Sequence, residues 1–179
     1  MKQPKLVAFI GAKGSGKTTL ANRICQDPGH VRLSFATPIR KMVEAIGIQA
    51  YYHTENKDAP IPHIAGNPTA RHVLQSLGTE WGRDLIHSDI WVYAALEIFK
   101  DYLEDGVSVY IDDARFPNEA EAVKSLGGHI IRVNPGPYAN TEDSHISEAY
   151  WKSIVADYVL PNDGDLDDLY ESYLDLDLS

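Results

Sequence analysis

The sequence predicts an α/β fold, a parallel five-stranded sheet with helices on both faces. Three observations carry that reading. Short apolar runs alternate with stretches of helical spacing along the chain. The first run, "LVAFI", leads directly into "GAKGSGKTT", Gly11 to Thr19, a glycine-rich turn of the kind that joins a strand to a helix. The 179 residues suffice for one domain with a full core. Strands separated by helices need crossovers, which make the sheet parallel and cover both its faces.

Taken in order, Lys5 to Ile10 reads as a buried strand and Lys17 to Gln26 as the start of a helix. Val31 to Phe35 is a second strand. Thr37 then reads as an N-cap with Pro38 at the first helical position, and that helix stops at Gly47. The stretch "IQAYYHTENKDAPIPHIAGNP" has no clear period and reads as a long loop. Thr69 to Ile86 returns to helical spacing, interrupted by Gly78 and Gly82. Each glycine costs a helix about 1 kcal/mol against alanine, so two so close suggest that something must approach the backbone there. Ser88 or Asp89 caps another helix, Ile90 to Glu104. Val107 to Ile111 is a third strand, and Asn118 with Glu121 forms a capping-box pattern for a helix ending near Gly127. His129 to Val133 is the fourth strand and "DYVLPNDG" a short fifth strand with its turn. The tail from Asp165 places Leu166, Leu169, Tyr170, Tyr173 and Leu174 at helical spacing. There is no internal repeat or linker, so residues 1–179 read as a single domain.

The pattern G-x-x-x-x-G-K-[ST] is filled by Gly11, Gly16, Lys17 and Thr18, with Ala12, Lys13, Gly14, Ser15 and Thr19 completing the loop. Glycines let successive backbone N–H groups point at phosphate oxygens, and the helix N-terminus adds partial positive charge. Lys17 is expected to reach the β- and γ-phosphates of a bound nucleoside triphosphate such as ATP. The Thr18 hydroxyl is expected to ligate Mg2+. Such a loop on the first strand places the active site at the carboxyl ends of the strands.

Net charge is −10, which argues against a nucleic-acid polymer as partner. Much of the excess lies in "DLDDLYESYLDLDLS", which holds six acids and no Lys or Arg. The single cysteine, Cys25, excludes an internal disulfide framework and fits a reducing compartment. No apolar run approaches the ~20 residues needed to span a membrane, and "MKQPKLVAF" lacks a signal-peptide pattern.

The third strand ends "VYIDDARFPNE". A carboxylate at the tip of a strand beside the loop strand can hold Mg2+ through water. Asp112, first after the apolar run, is expected in that role, leaving Asp113 to orient an acceptor or hold an arginine. An acceptor that is itself a phosphate needs little general-base help. It needs neutralisation, because two anions must meet in line. The candidate arginines are Arg40, Arg71, Arg83, Arg115 and Arg132, of which Arg115 lies just past the third strand. A nucleobase needs a flat apolar slot with a few polar groups. "TARHVLQSLGTEWGRDLIHSDIWV" supplies Trp81 and Trp91 together with Gln75 and Glu80, although core packing is the favoured account of either tryptophan taken alone.

Read as blocks, "GAKGSGKTTLA", "LSFATPIRK", "RHVLQSLGTEWGRDLIHSDIWV", "IDDARFPNEAEAV", "GGHIIRV", "HISE" and "ADYVLPNDGDLDDL" resemble the phage-type deoxynucleoside monophosphate kinases, members of the P-loop nucleoside monophosphate kinase superfamily. The blocks cover nearly the whole chain in that family's order. The resemblance implies a P-loop kinase fold with a helical acceptor-binding insertion at about 37–105 and a lid-like loop at about 134–147. It implies Mg2+-assisted transfer of the ATP γ-phosphate to a deoxynucleoside monophosphate. It places Arg40, Arg71, Gln75 and Arg83 in the acceptor segment, and Asn162 and Gly164 in a last-strand turn that holds adenine in related kinases. His145 and Glu148 match that family's "H-x-S-E", with His145 to contact nucleotide or Glu148 to orient an arginine. The implied setting is cytoplasmic, the host cytoplasm if the chain is phage-encoded, and a homodimer is admissible. The chain departs from the family just past "IIRV". Asn134 and Pro135 stand where a basic residue is common, and no Lys or Arg follows through Asp143.

Two other readings fit parts of the sequence. One is another small-molecule kinase on the same scaffold, such as one acting on dephospho-coenzyme A, whose last-strand turn is similar but whose third-strand block is not. The other is a non-catalytic nucleotide-binding regulator, against which the joint presence of Lys17, Thr18 and Asp112 weighs.

Overall fold

The computed structural model describes residues 3–48, 58–136 and 150–178. Among them the sheet has five strands: β1 (Leu6–Ile10), β2 (His30–Leu33), β3 (Ser108–Ile111), β4 (His129–Val133) and β5 (Tyr158–Leu160). Their order is β2-β3-β1-β4-β5, and every pairing is parallel. The helices are α1 (Lys17–Ile24), α2 (Thr37–Ala45), α3 (Ala70–Gln75), α4 (Ile90–Glu104), α5 (Pro117–Ser125) and α6 (Leu166–Leu174). All five residues of β1 are buried, as a central strand covered on both faces requires.

The chain divides into two compact units, Met1–Phe35 with Leu96–Ser179, and Ala36–Ala95. The first holds the sheet. Its core on one face joins Val7, Phe9, Leu20, Ile24, Tyr110 and Tyr173. Phe9 stacks on Tyr110 at 6.4 Å between centroids, and the Tyr173 ring meets both edge-on. The Tyr173 hydroxyl donates to that of Tyr110 at 3.0 Å. Such a pairing removes the cost of burying two phenols unpartnered.

The second unit has its own small core of Val43, Ile48, Ile61 and Ala70. Part of the stretch expected to be irregular is ordered by a bridge between Pro60 and Thr69, with Ile61 N–H donating to the Pro68 carbonyl at 2.8 Å. The interrupted helical stretch expected over Thr69 to Ile86 is two elements, α3 followed by a π-helical run, Ser76–Ile86. Its wider winding is visible where His87 N–H reaches the Gly82 carbonyl, five residues back.

Two helix starts differ from expectation by a residue or so. The N-cap of α2 is Ala36 rather than Thr37. The capping interaction of α5 is made by Glu119, not by Asn118 with Glu121. The Glu119 carboxylate, 3 % exposed, accepts from Arg115 N–H at 2.8 Å and Phe116 N–H at 3.1 Å. Pro117 explains the shift, because its fixed φ suits the first helical position and starts the helix before Asn118.

Candidate active site

The loop after β1 and the tips of β2, β3 and β5 all belong to the sheet-bearing unit. β1 lies between β3 and β4, and the chain leaves its carboxyl end into Gly11 to Gly16. Gly14 and Gly16 have φ of 78° and 96°, a conformation that favours glycine. A Cβ on Gly11 would overlap the Val133 carbonyl, so this position also excludes a side chain. Ser15 is fully buried beneath the loop, and its N–H closes the turn on the Ala12 carbonyl at 3.1 Å. Lys13, Thr18 and Thr19 are exposed, and Ala12 is buried.

The Lys17 ammonium is folded back over the loop. It donates to the Gly11 carbonyl at 2.8 Å, the Ala12 carbonyl at 2.6 Å and Ser15 Oγ at 3.3 Å. These neutral oxygens hold the cation at the mouth of the backbone cradle.

Asp112 follows β3, and its Oδ2 accepts from Arg32 Nη1 at 2.9 Å. Arg32 comes from the neighbouring strand, where it lies in register with Tyr110. The Asp112 side chain is only 11 % exposed, so the guanidinium offsets what would otherwise be a costly, half-desolvated charge. Sequence reasoning missed Arg32. The signal was its place on the strand next to the third, which becomes informative only once the strand order is known.

Thr18 and Cys25 lie seven residues apart, two turns along one stripe of α1 and its cap. Burial pushes the Cys25 thiol up to about 11, with Arg32 lowering it and Asp112 raising it.

Asp113 is not free, as expected from the sequence, but accepts from Phe35 N–H at 2.9 Å and so ties down the chain after β2. Arg115 is exposed, with its backbone N–H committed to Glu119. Arg132 donates through Nη2 to the Ile154 carbonyl at 2.7 Å and lies over the Trp151 ring.

Asn162 and Gly164 sit in the turn after β5. Asn162 Nδ2 donates to the Ser15 carbonyl at 3.0 Å. A Cβ on Gly164 would overlap the Asp168 carboxylate, which accepts from Asp165 N–H at 3.0 Å. Asp165 in turn accepts from Asp167 and Asp168 N–H at 2.9 and 3.1 Å, so the glycine makes room for the cap of α6.

The residues expected to bind an acceptor, Arg40, Arg71, Gln75, Glu80, Trp81, Arg83 and Trp91, all fall in the unit Ala36–Ala95. Arg40, Arg71, Gln75 and Glu80 are exposed and Arg83 is half-buried. Arg71 forks Asp58 through Nε at 2.6 Å and Nη2 at 3.1 Å. That bond holds the Asp58 carboxyl below its usual range. The two tryptophans differ. Trp81 is 42 % exposed, whereas Trp91 is 4 % exposed and packs on the glycines of the π-helical run. Trp91 itself is what approaches the backbone at Gly82. His145 and Glu148, and residues 137–147 of the lid-like loop, lie outside the described residues. Among the described residues, no helix is long and apolar enough to cross a membrane.

The family model for deoxynucleotide monophosphate kinase matches residues 46–173. A deoxynucleotide monophosphate kinase assigned in Acanthamoeba polyphaga mimivirus is 32 % identical over 183 residues, covering 94 % of each chain. The deoxynucleoside-5'-monophosphate kinase of Escherichia phage T5 is 40 % identical over 113 residues, 59 % of this chain and 42 % of that one. The chain thus spans almost all of the mimivirus protein but less than half of the phage T5 one. Among solved structures, a sugar kinase from Janibacter sp. HTCC2649 superposes with a TM-score of 0.52 at 17 % identity, covering 96 % of this chain and 92 % of that one, a likeness of fold. With a family match over well more than half its length, on a parallel P-loop kinase sheet, the chain belongs to the deoxynucleotide monophosphate kinases.

Proposed function

We propose that this chain transfers the γ-phosphoryl group of ATP, with Mg2+, to a deoxynucleoside monophosphate, giving the diphosphate and ADP. The observation that carries the reading is the Lys17 ammonium, whose partners include the Gly11 and Ala12 carbonyls and Ser15 Oγ, at the mouth of a glycine-lined backbone cradle. Phosphate oxygens are stronger acceptors than carbonyls, so Lys17 is placed to exchange its loop partners for them. A Cβ on Gly11 would overlap the Val133 carbonyl and one on Gly16 would stand 2.9 Å from Asn162 Nδ2, so the loop backbone packs too closely for a side chain at either position.

Thr18 and Asp112 would hold Mg2+, whose bound form neutralises charge on the transferring group. Arg32 pairs with one oxygen of Asp112, which leaves the other for the hydration shell of the metal. Arg71 and Arg83 would neutralise the acceptor phosphate, and Arg40 and Arg115 would add positive charge. Trp81, the more open tryptophan, with Gln75 and Glu80, would meet the base. Trp91 supports that surface from beneath.

Acceptor-dependent ADP release tests the proposal. A panel of deoxynucleoside monophosphates, with dephospho-coenzyme A as a separate arm, is offered with ATP and Mg2+. ADP that appears only with monophosphates supports it. ADP that appears only with dephospho-coenzyme A, or no acceptor-dependent ADP at all, overturns it.

A further inference from the structure

We infer that Asn162 is a positioning residue of the phosphate loop, which fixes the Ser15–Gly16 peptide so that its N–H faces the anion cradle. The inference rests on the reading of Gly11 to Thr19 as a phosphate site and concerns how that site keeps its shape. Asn162 lies 147 residues from Ser15, in the turn after β5, yet its Nδ2 donates to the Ser15 carbonyl at 3.0 Å. A carbonyl only accepts, so the carboxamide must present its nitrogen and not its oxygen.

The peptide is planar and trans, so its carbonyl and N–H point in opposite directions. Holding the Ser15 carbonyl toward Asn162 therefore directs the Gly16 N–H the other way, into the loop. Gly16 itself offers little steric resistance to rotation of this peptide plane. Gly16 sits at φ 96° and, as glycine, tolerates either sign of φ. The freedom that lets the loop form would also let it collapse, and a brace from outside the loop removes that freedom.

The brace is itself held. A Cβ on Gly16 would stand 2.9 Å from Asn162 Nδ2, and one on Gly136 would overlap the Asn162 carbonyl. Asn162 is thus seated between the phosphate loop and the segment that follows β4. An adenine-contacting role, the one the resemblance implies, would instead commit the carboxamide to the base.

The test measures binding of inorganic tripolyphosphate and of ATP to the full chain by calorimetry, in wild type, Asn162→Ala and Asn162→Asp, with melting temperatures as a control. Both variants are expected to lose about tenfold in affinity for both ligands, the scale of one hydrogen bond to a well-placed polar group, with melting temperatures close to wild type. The Gly16 amide is expected to exchange its hydrogen faster in both. Weakened ATP binding with unchanged tripolyphosphate binding would make Asn162 an adenine contact and overturn the inference. So would a loss confined to Asn162→Asp, which charge repulsion alone explains, or no loss in either. If Asn162→Asp does not fold, Asn162→Ala with the same two ligands and the same amide decides. A wild-type chain that binds neither ligand overturns the phosphate-site reading and this inference with it.

Discussion

The Trp91 indole lies where a Cβ on Gly82 would have to stand, and its N–H donates to the Gly78 carbonyl at 2.7 Å. Trp91 is only 4 % exposed, so moving its ring aside disturbs buried packing. Gly82→Ala is therefore expected to destabilise the protein by about 1–3 kcal/mol in urea denaturation, the usual cost of overpacking. Gly78→Ala meets only the Ile39 side chain, at 3.3 Å, and should stay within about 1 kcal/mol of wild type because alanine gains helix propensity. A Gly82→Ala variant as stable as wild type would mean that the ring moves away at no cost.

Lys17→Ala is expected to abolish phosphoryl transfer while leaving the fold intact. Its ammonium contacts two loop carbonyls and a hydroxyl and contributes nothing to the buried core. Circular dichroism should be unchanged. Turnover above about a tenth of wild type would refute the assignment of the loop, given the size of transition-state charge effects.

Asp112→Asn is expected to raise the Mg2+ concentration needed for half-maximal turnover and to lower turnover, with a smaller effect on ATP binding. The asparagine keeps the shape of the side chain but loses the charge that pairs with Arg32 and would attract the metal. Mn2+ binding followed by electron paramagnetic resonance gives a readout independent of turnover. Unchanged activity at low Mg2+ would assign the metal to Asp113 or to neither residue.

Arg71→Lys and Arg83→Lys are each expected to lower kcat/KM for the monophosphate by about 1.5–3 kcal/mol, while the KM for ATP changes little. Lysine keeps the charge but loses the two-pronged geometry that Arg71 already displays toward Asp58, whose two oxygens offer the same edge as a phosphate. If these arginines only form exposed surface pairs, both variants should behave like wild type. Steady-state kinetics with each substrate varied separately distinguishes the two outcomes.

Much of this protein could be read locally. The five strands lie within two residues of where apolar runs place them, His129–Val133 without any displacement. The loop glycines adopt the positive φ that their spacing requires. Both follow from interactions across a few residues, which a sequence displays directly. The helix N-caps at Ala36 and Phe116 lie one and two residues before the expected Thr37 and Asn118, because neighbouring positions compete for a cap by small energies.

What the sequence could not show were pairings across distance. Arg32 meets Asp112 over 80 residues, and Asn162 meets Ser15 over 147. Each depends on the strand order, β2 beside β3 for the first and β4 between β1 and β5 for the second, and several strand orders satisfy the same apolar pattern. The π-helical run was hidden for a related reason. Gly78 and Gly82 mark a gap, but only the packed chain shows that Trp91 fills it. Local propensity determined the elements and the phosphate loop. Tertiary packing decided which charges face each other and which aromatic ring stays open, because those choices are made by distant atoms competing for the same space.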